Sequence, residues 1–341
     1  MKTNIDLTNY LKGFAILTVI SGHFSLRFMP EEIMSFGNYF ISLFFILSGY
    51  GLYFSLEKHM DSRKKTLWSF YLKRFVRIYP LYWINFFLNF ATDPTATLSV
   101  STLWEFFLLD FSNPARLWFL NALIPCYIFA PLIFRIIRQT KIYFPLYLIV
   151  LFVLINYLFA YLGVPKVRCW VYRGIYLNQM LLFAAGMWFP VLRKKDHTVF
   201  GPLWVVLSFL LMFYSFIQTS NFSFEFMSYP TFNQILFSVS TLLFVYIFIF
   251  GDVAIPLLGI IKKIGAYSYS LFLFEGAYAT ILNRLKIIDN RANINLLWFV
   301  IFFPIFIFLA ASLEEIVNSK MDLKKAYSNF RAQFFPNHAP N

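Results

Sequence analysis

Charge is scarce in this chain, at 13% of 341 residues, and negative charge is scarcer, with 16 Asp and Glu against 29 Lys and Arg. A soluble domain of this length would show amphipathic periodicity, which is missing here. Cysteine is nearly absent: Cys126 and Cys169 define no disulfide framework and no metal spacing, so no metal is expected. No internal repeat and no Gly/Ser linker divides the chain. Residues 1–341 are therefore expected to form a single membrane domain, with a cytoplasmic tail from about residue 319 and no appended soluble domain. A cleaved secretory signal is disfavoured, because Lys12 interrupts the first apolar stretch and no small-residue cleavage site follows.

What the chain has instead is hydrophobicity. Apolar residues make up 60% of it, mean hydropathy is +0.65, and charge-free stretches run from Phe36 to Leu56, Ile142 to Pro165 and Phe226 to Gly251. Each exceeds the ~20 residues that cross a ~30 Å hydrocarbon layer as a helix. The pattern predicts about ten spans, centred near Val19, Phe45, Phe86, Cys126, Phe152, Phe183, Phe209, Thr241, Leu273 and Phe306. The third, Tyr79 to Ala91, is short and polar enough to be re-entrant or tilted.

With ten spans and both ends on one side, that side collects 21 of the 29 basic residues, including the Lys58 to Arg77 block. The positive-inside rule then places both termini in the cytoplasm. The fold expected is all-α, a polytopic transmembrane helical bundle. The same distribution explains the net charge of +13 without nucleic acid, since the cations lie in short loops rather than one patch. His59, His197 and His338 fall in cytoplasmic loops or the tail and are expected to be solvated.

Two polar features interrupt the apolar background. Lys12 and His23 lie in the first span, and at about 100° per residue their eleven-residue spacing brings them within roughly 20° of one face, about 16 Å apart along the axis. A charged side chain at a span centre costs about 2.5–3.5 kcal/mol on insertion scales. One reading is a polar pathway containing an imidazole; the other is a histidine hydrogen-bonded to a neighbouring helix. The second feature is Lys73-Arg74-x-x-Arg77 followed by Ile-Tyr79-Pro80. Arg74 and Arg77 share a helical face, where two guanidiniums could receive a phosphate or anchor to lipid headgroups. Trp118 and the other aromatics read as interfacial, and Glu105, Asp110 and Asn121 could line an acceptor cleft on the outer side.

Taken in order, the Lys12 to His23 opening, Phe44-Phe-Ile-Leu-Ser48-Gly49, Arg74-x-x-Arg77-Ile-Tyr-Pro, Leu117-Trp-Phe-Leu120, Leu181-Leu-Phe-Ala-Ala-Gly186 and Gly265-Ala-Tyr-Ser-Tyr-Ser-Leu-Phe-Leu-Phe-Glu275 resemble the acyltransferase-3 family of integral-membrane O-acyltransferases. The resemblance implies an acyl-CoA donor entering from the cytoplasm, acetyl-CoA being the simplest. It implies His23 as the catalytic group, with Arg74, Arg77 and the adjoining Lys73 near the donor. The acceptor implied is a hydroxyl of a cell-surface or capsular polysaccharide or its lipid-linked precursor. The setting implied is the bacterial cytoplasmic membrane, with surrounding lipid as a contact and homo-oligomerisation as an alternative to a single copy.

Two departures matter. Lys12 stands where the family commonly has Arg, and Glu275 where it usually has His. A neutral His23 could deprotonate the acceptor or carry the acyl group itself, and Lys12 could balance charge on the oxyanion. Ser48 beside Gly49 reads as a packing position that also offers a hydroxyl. Glu275 either orients Lys12 or His23, or is a neutral acid hydrogen-bonded within the bundle. A transporter or flippase is the competing class, since inward-facing charges also serve translocation.

Overall fold

The structure is a computed structural model that describes residues 5–24, 31–60, 67–92, 97, 99–108, 118–161, 175–192, 202–220, 232–251, 259–285 and 296–320. Every regular element among the described residues is helical. In chain order these are α1 (Ile5–Phe24), α2 (Glu31–Met60), α3 (Leu67–Thr92), α4 (Val100–Phe106), α5 (Trp118–Thr140), a 3-10 turn (Lys141–Tyr143), α6 (Phe144–Tyr161) and α7 (Ile175–Leu192). They are followed by α8 (Pro202–Ser220), α9 (Phe232–Phe250), α10 (Gly259–Ala266), α11 (Ser268–Arg284) and α12 (Leu296–Lys320).

Each of the ten expected span centres falls on one of these helices, α4 and α10 being the two short additions. Phe40–Met60, Phe119–Leu151 and Ile301–Ser319 are long and apolar enough to cross a membrane. Without water, a spanning segment must satisfy its own backbone, and the helix does so internally. Pro80, Pro125, Pro131, Pro190 and Pro304 lie inside helices, where each removes one backbone donor and neighbouring helices or local adjustment must re-satisfy the carbonyl it frees. The protein is an all-helical membrane protein.

Burial sorts the helices into centre and rim. In α2 72% of the apolar window is buried, against 11% in α12. Leu7, Leu11, Ala15, Val19 and the adjoining Ile16 and Ile20 bury one face of α1, which packs on α2, α10 and α11. The opposite extreme is α6, whose Leu146, Ile149, Val150 and Leu154 stay exposed as a lipid-facing surface would.

Two expectations are revised. The third span is not a short segment from Tyr79 to Ala91 but part of α3, one helix that begins at Leu67 and carries the arginine pair and Pro80. His59 is not a solvated loop residue: α2 continues through Met60 and buries it. His197 and His338 lie outside the described residues.

Candidate functional site

The arginine pair shows how one spacing yields two environments. The Arg74 guanidinium turns towards α2 and donates from Nη2 to Ser55 Oγ at 2.9 Å, while its carbon lies 5.4 Å from the Phe70 ring centre. Its Nε is buried with no hydrogen-bond partner among the described residues. His59 completes the arrangement from α2, with Nδ1 2.7 Å from the Ser55 carbonyl oxygen and its ring edge-on to Phe70. Arg77, one turn further along α3, is exposed, and Lys73 is exposed as well. The shared face predicted from the spacing therefore holds one tethered and one open guanidinium.

Lys12 is placed by the backbone around it. A methyl group at Gly13 would run into the carbonyl oxygen of Ile261, and one at Gly265 into that of Asn9. Small residues let the α1 and α10 backbones touch, as in membrane bundles generally. Lys12 then lies within electrostatic reach of Arg77 and of Glu314 on α12. Glu314 lies beside Ser270 at the start of α11, with Arg77 and Lys12 both acting on its charge, and its buried Oε2 has no hydrogen-bond partner among the described residues.

The Tyr267 to Ser270 segment is tied on two sides. Tyr267 donates its hydroxyl to Glu315 Oε1, and Tyr269 donates to the Ile78 carbonyl at 2.8 Å. The Ser270 hydroxyl donates to the Tyr267 carbonyl at 2.9 Å. Tyr269 stands within reach of Tyr127, Glu314, Arg77 and Tyr82. Sequence reasoning passed over Glu314 and Glu315, and gave Tyr269 a place in the family motif without a role. The available signal was two adjacent carboxylates closing an otherwise apolar helix.

Both Lys12 and His23 belong to the uninterrupted helix α1, so their helical relation holds along the backbone. The His23 side chain lies outside the described residues, as do the Trp118 side chain and Asp110. Glu275 is buried on α11, five residues beyond Ser270. Glu314 of α12 is a carboxylate whose charge acts on Lys12. Asn121 is buried near the start of α5, and Ser48 precedes the Gly49 contact with Phe183 of α7.

The aromatic residues after Arg77 do more than mark an interface. Tyr79 donates to the Phe107 carbonyl at 3.1 Å, Tyr82 to that of Glu105, and Trp83 Nε1 to that of Phe106 at 3.3 Å. These three donors from α3 meet carbonyls at the end of α4, where intrahelical partners run out; the Glu105 carbonyl also accepts from the Leu108 N–H at 2.8 Å. Trp83 stacks on Phe106 at 5.4 Å, fixing the short helix against α3.

Chemically, Lys12, Arg74 and Arg77 outnumber Glu314, leaving positive charge over. A half-engaged guanidinium with a bare Nε, beside an exposed one, is a donor set suited to phosphate oxygens. The phosphate-bearing end of a coenzyme A thioester fits those residue types. No curated protein and no solved structure gives a significant match to the chain. The family model described as an acyltransferase domain matches residues 5–315. The helices that carry the arginine pair, Lys12 and the Tyr267 to Ser270 segment all lie within that match, and the chain belongs to the acyltransferase-3 family.

Proposed function

We propose that this protein is a multi-pass O-acyltransferase of the bacterial cytoplasmic membrane. It takes acetyl from acetyl-CoA and delivers it to a hydroxyl of a cell-surface or capsular polysaccharide, or of its lipid-linked precursor. Ten spans with both termini in the cytoplasm would put the basic end of α3 on the donor side. Ser62→Cys should then be shielded from an impermeant thiol reagent in intact cells and Ser223→Cys labelled, with Cys126 and Cys169 replaced beforehand. The reverse pattern would discard the orientation.

The observation that carries the reading is the link between α3 and α1: Arg77 acts on Lys12, and Lys12 shares a continuous helix with His23. In this reading Lys73, Arg74 and Arg77 receive the donor's phosphates. The thioester supplies the acyl group. His23 accepts the proton of the attacking hydroxyl, or takes the acyl group before passing it on. Lys12 balances negative charge as it develops on the carbonyl oxygen, and Glu275 orients Lys12 or His23.

The test is the glycan from a strain lacking the gene, complemented with wild type or with His23→Ala. Loss of an O-acyl group restored only by wild type supports the enzyme. Loss of export would select the transporter, and loss of polymer a subunit of the glycan synthase.

A further inference from the structure

Resting on the donor reading above, we propose that Ser55 and His59 of α2 form a latch that presets Arg74 for a donor phosphate, which makes both of them positioning residues. Ser55 is engaged twice. Its hydroxyl oxygen accepts from Arg74 Nη2 at 2.9 Å, and its carbonyl oxygen lies 2.7 Å from His59 Nδ1. A carbonyl oxygen has no proton, so Nδ1 must carry one, and this fixes the tautomer of a neutral His59.

Phe70 joins the two halves of the latch. It is fully buried, one turn before Arg74 on α3, with the guanidinium carbon 5.4 Å from its centre and the His59 ring edge-on at 6.1 Å. Arg74 is thus confined by a hydrogen bond and by an aromatic face, whereas no hydrogen bond among the described residues holds Arg77. An arginine already confined surrenders less rotamer freedom when an anion arrives. The latch spends one donor of the fork on Ser55 and leaves Nε uncommitted among the described residues.

The test uses purified full-length protein, with coenzyme A affinity from calorimetry and KM and kcat for acyl transfer. Ser55→Ala should raise the dissociation constant and KM on the order of tenfold, the usual consequence of losing a hydrogen bond to a charged group. The effect should fall on KM with kcat close to wild type, since positioning for binding is what is lost. Ser55→Thr keeps the hydroxyl and should restore affinity. His59→Asn, which keeps an amide N–H near the Nδ1 position, should stay near wild type, while His59→Phe should weaken binding.

Adding Ser55→Ala to Arg74→Ala should cost nothing more, because the latch acts only through Arg74. Additive losses, or unchanged affinity and KM in Ser55→Ala and His59→Phe, would overturn the latch and leave the donor reading standing. If Ser55→Ala fails to accumulate, His59→Phe decides alone, since Ser55 remains in place. Failure of the wild-type protein to bind coenzyme A would remove the donor reading, and the latch with it.

Discussion

At the contact between α2 and α7, Gly49 abuts the carbonyl of Phe183 and Gly186 that of Ile46; between α1 and α10, Gly13 abuts the carbonyl of Ile261 and Gly265 that of Asn9. Both pairs run antiparallel and both bring backbones into direct contact. Their surroundings differ. The first seam is lined by Phe45, Phe183, Met187 and other buried apolar residues, with one polar pair where Gln179 donates to Ser42 at 3.2 Å. The second has Lys12 next to Gly13, and leads from Gly265 into the segment held by Glu315 and Ile78, beside Glu314. Close packing at the first seam builds the bundle; at the second it also sets a cation beside a charged cluster. The contrast teaches that a glycine motif alone does not reveal whether a contact is structural or part of a site.

The largest effect expected lies on α1, the helix that carries the second seam. His23→Ala should lower acyl transfer by about 10² to 10⁴, the usual cost of losing a general base, while the amount of protein in the membrane stays the same. Near wild-type transfer would make α1 a packing helix, and the contrast between the seams would collapse.

Gly49→Ala and Gly186→Ala should come next, acting on folding. Overpacking usually costs about 1–3 kcal/mol and occasionally more, and here the obstacle is backbone rather than a flexible side chain. The measurement is folded protein recovered in detergent and its thermal midpoint. Normal recovery of both variants would show that α2 and α7 can separate without harm. Gly265→Ala should also reduce recovery, and the molecules that do fold should transfer acyl groups poorly because Lys12 has moved with α1.

Ten helix positions were legible because apolar runs long enough for a span have one satisfactory backbone conformation in lipid. The Lys12 to His23 relation was legible for the same reason, depending only on helical pitch within α1. What could not be read was which helix faces which. Arg74 and Arg77 differ because Ser55, on another helix, meets only the first. His59 was misjudged because the polar stretch around it resembles a loop, whereas α2 extends to Met60. Glu314 drew no reading from the sequence, because its place in a site depends on α12 being set against Arg77 and Lys12.

The arginine pair sharpens the same contrast on a smaller scale. Arg77→Ala and Arg74→Ala should both weaken coenzyme A binding, by roughly tenfold each, as for lost charge-assisted hydrogen bonds. Lysine should rescue Arg77 better than Arg74, because an exposed site needs mainly charge, whereas Arg74 must reach Ser55 and lie on Phe70 with a planar fork. Equal rescue at both positions would return them to a single lipid-anchoring role.

The smallest effect is expected at Glu275, which tests whether the charged region extends beyond Glu314. A buried carboxyl on α11 needs a partner or a proton, since an unpaired charge there is strongly disfavoured. Glu275→Gln keeps its shape and one set of hydrogen bonds while removing the charge, so transfer should fall several-fold and less than tenfold. Glu314→Gln, which removes the carboxylate acting on Lys12 and Arg77, should cost more. Glu275→His restores the residue common in the family and separates charge from hydrogen bonding. Full activity in Glu275→Gln would end the electrostatic role. If neither substitution disturbs transfer, Glu275 has no part in the site, and the carboxylate that matters to Lys12 is Glu314 alone.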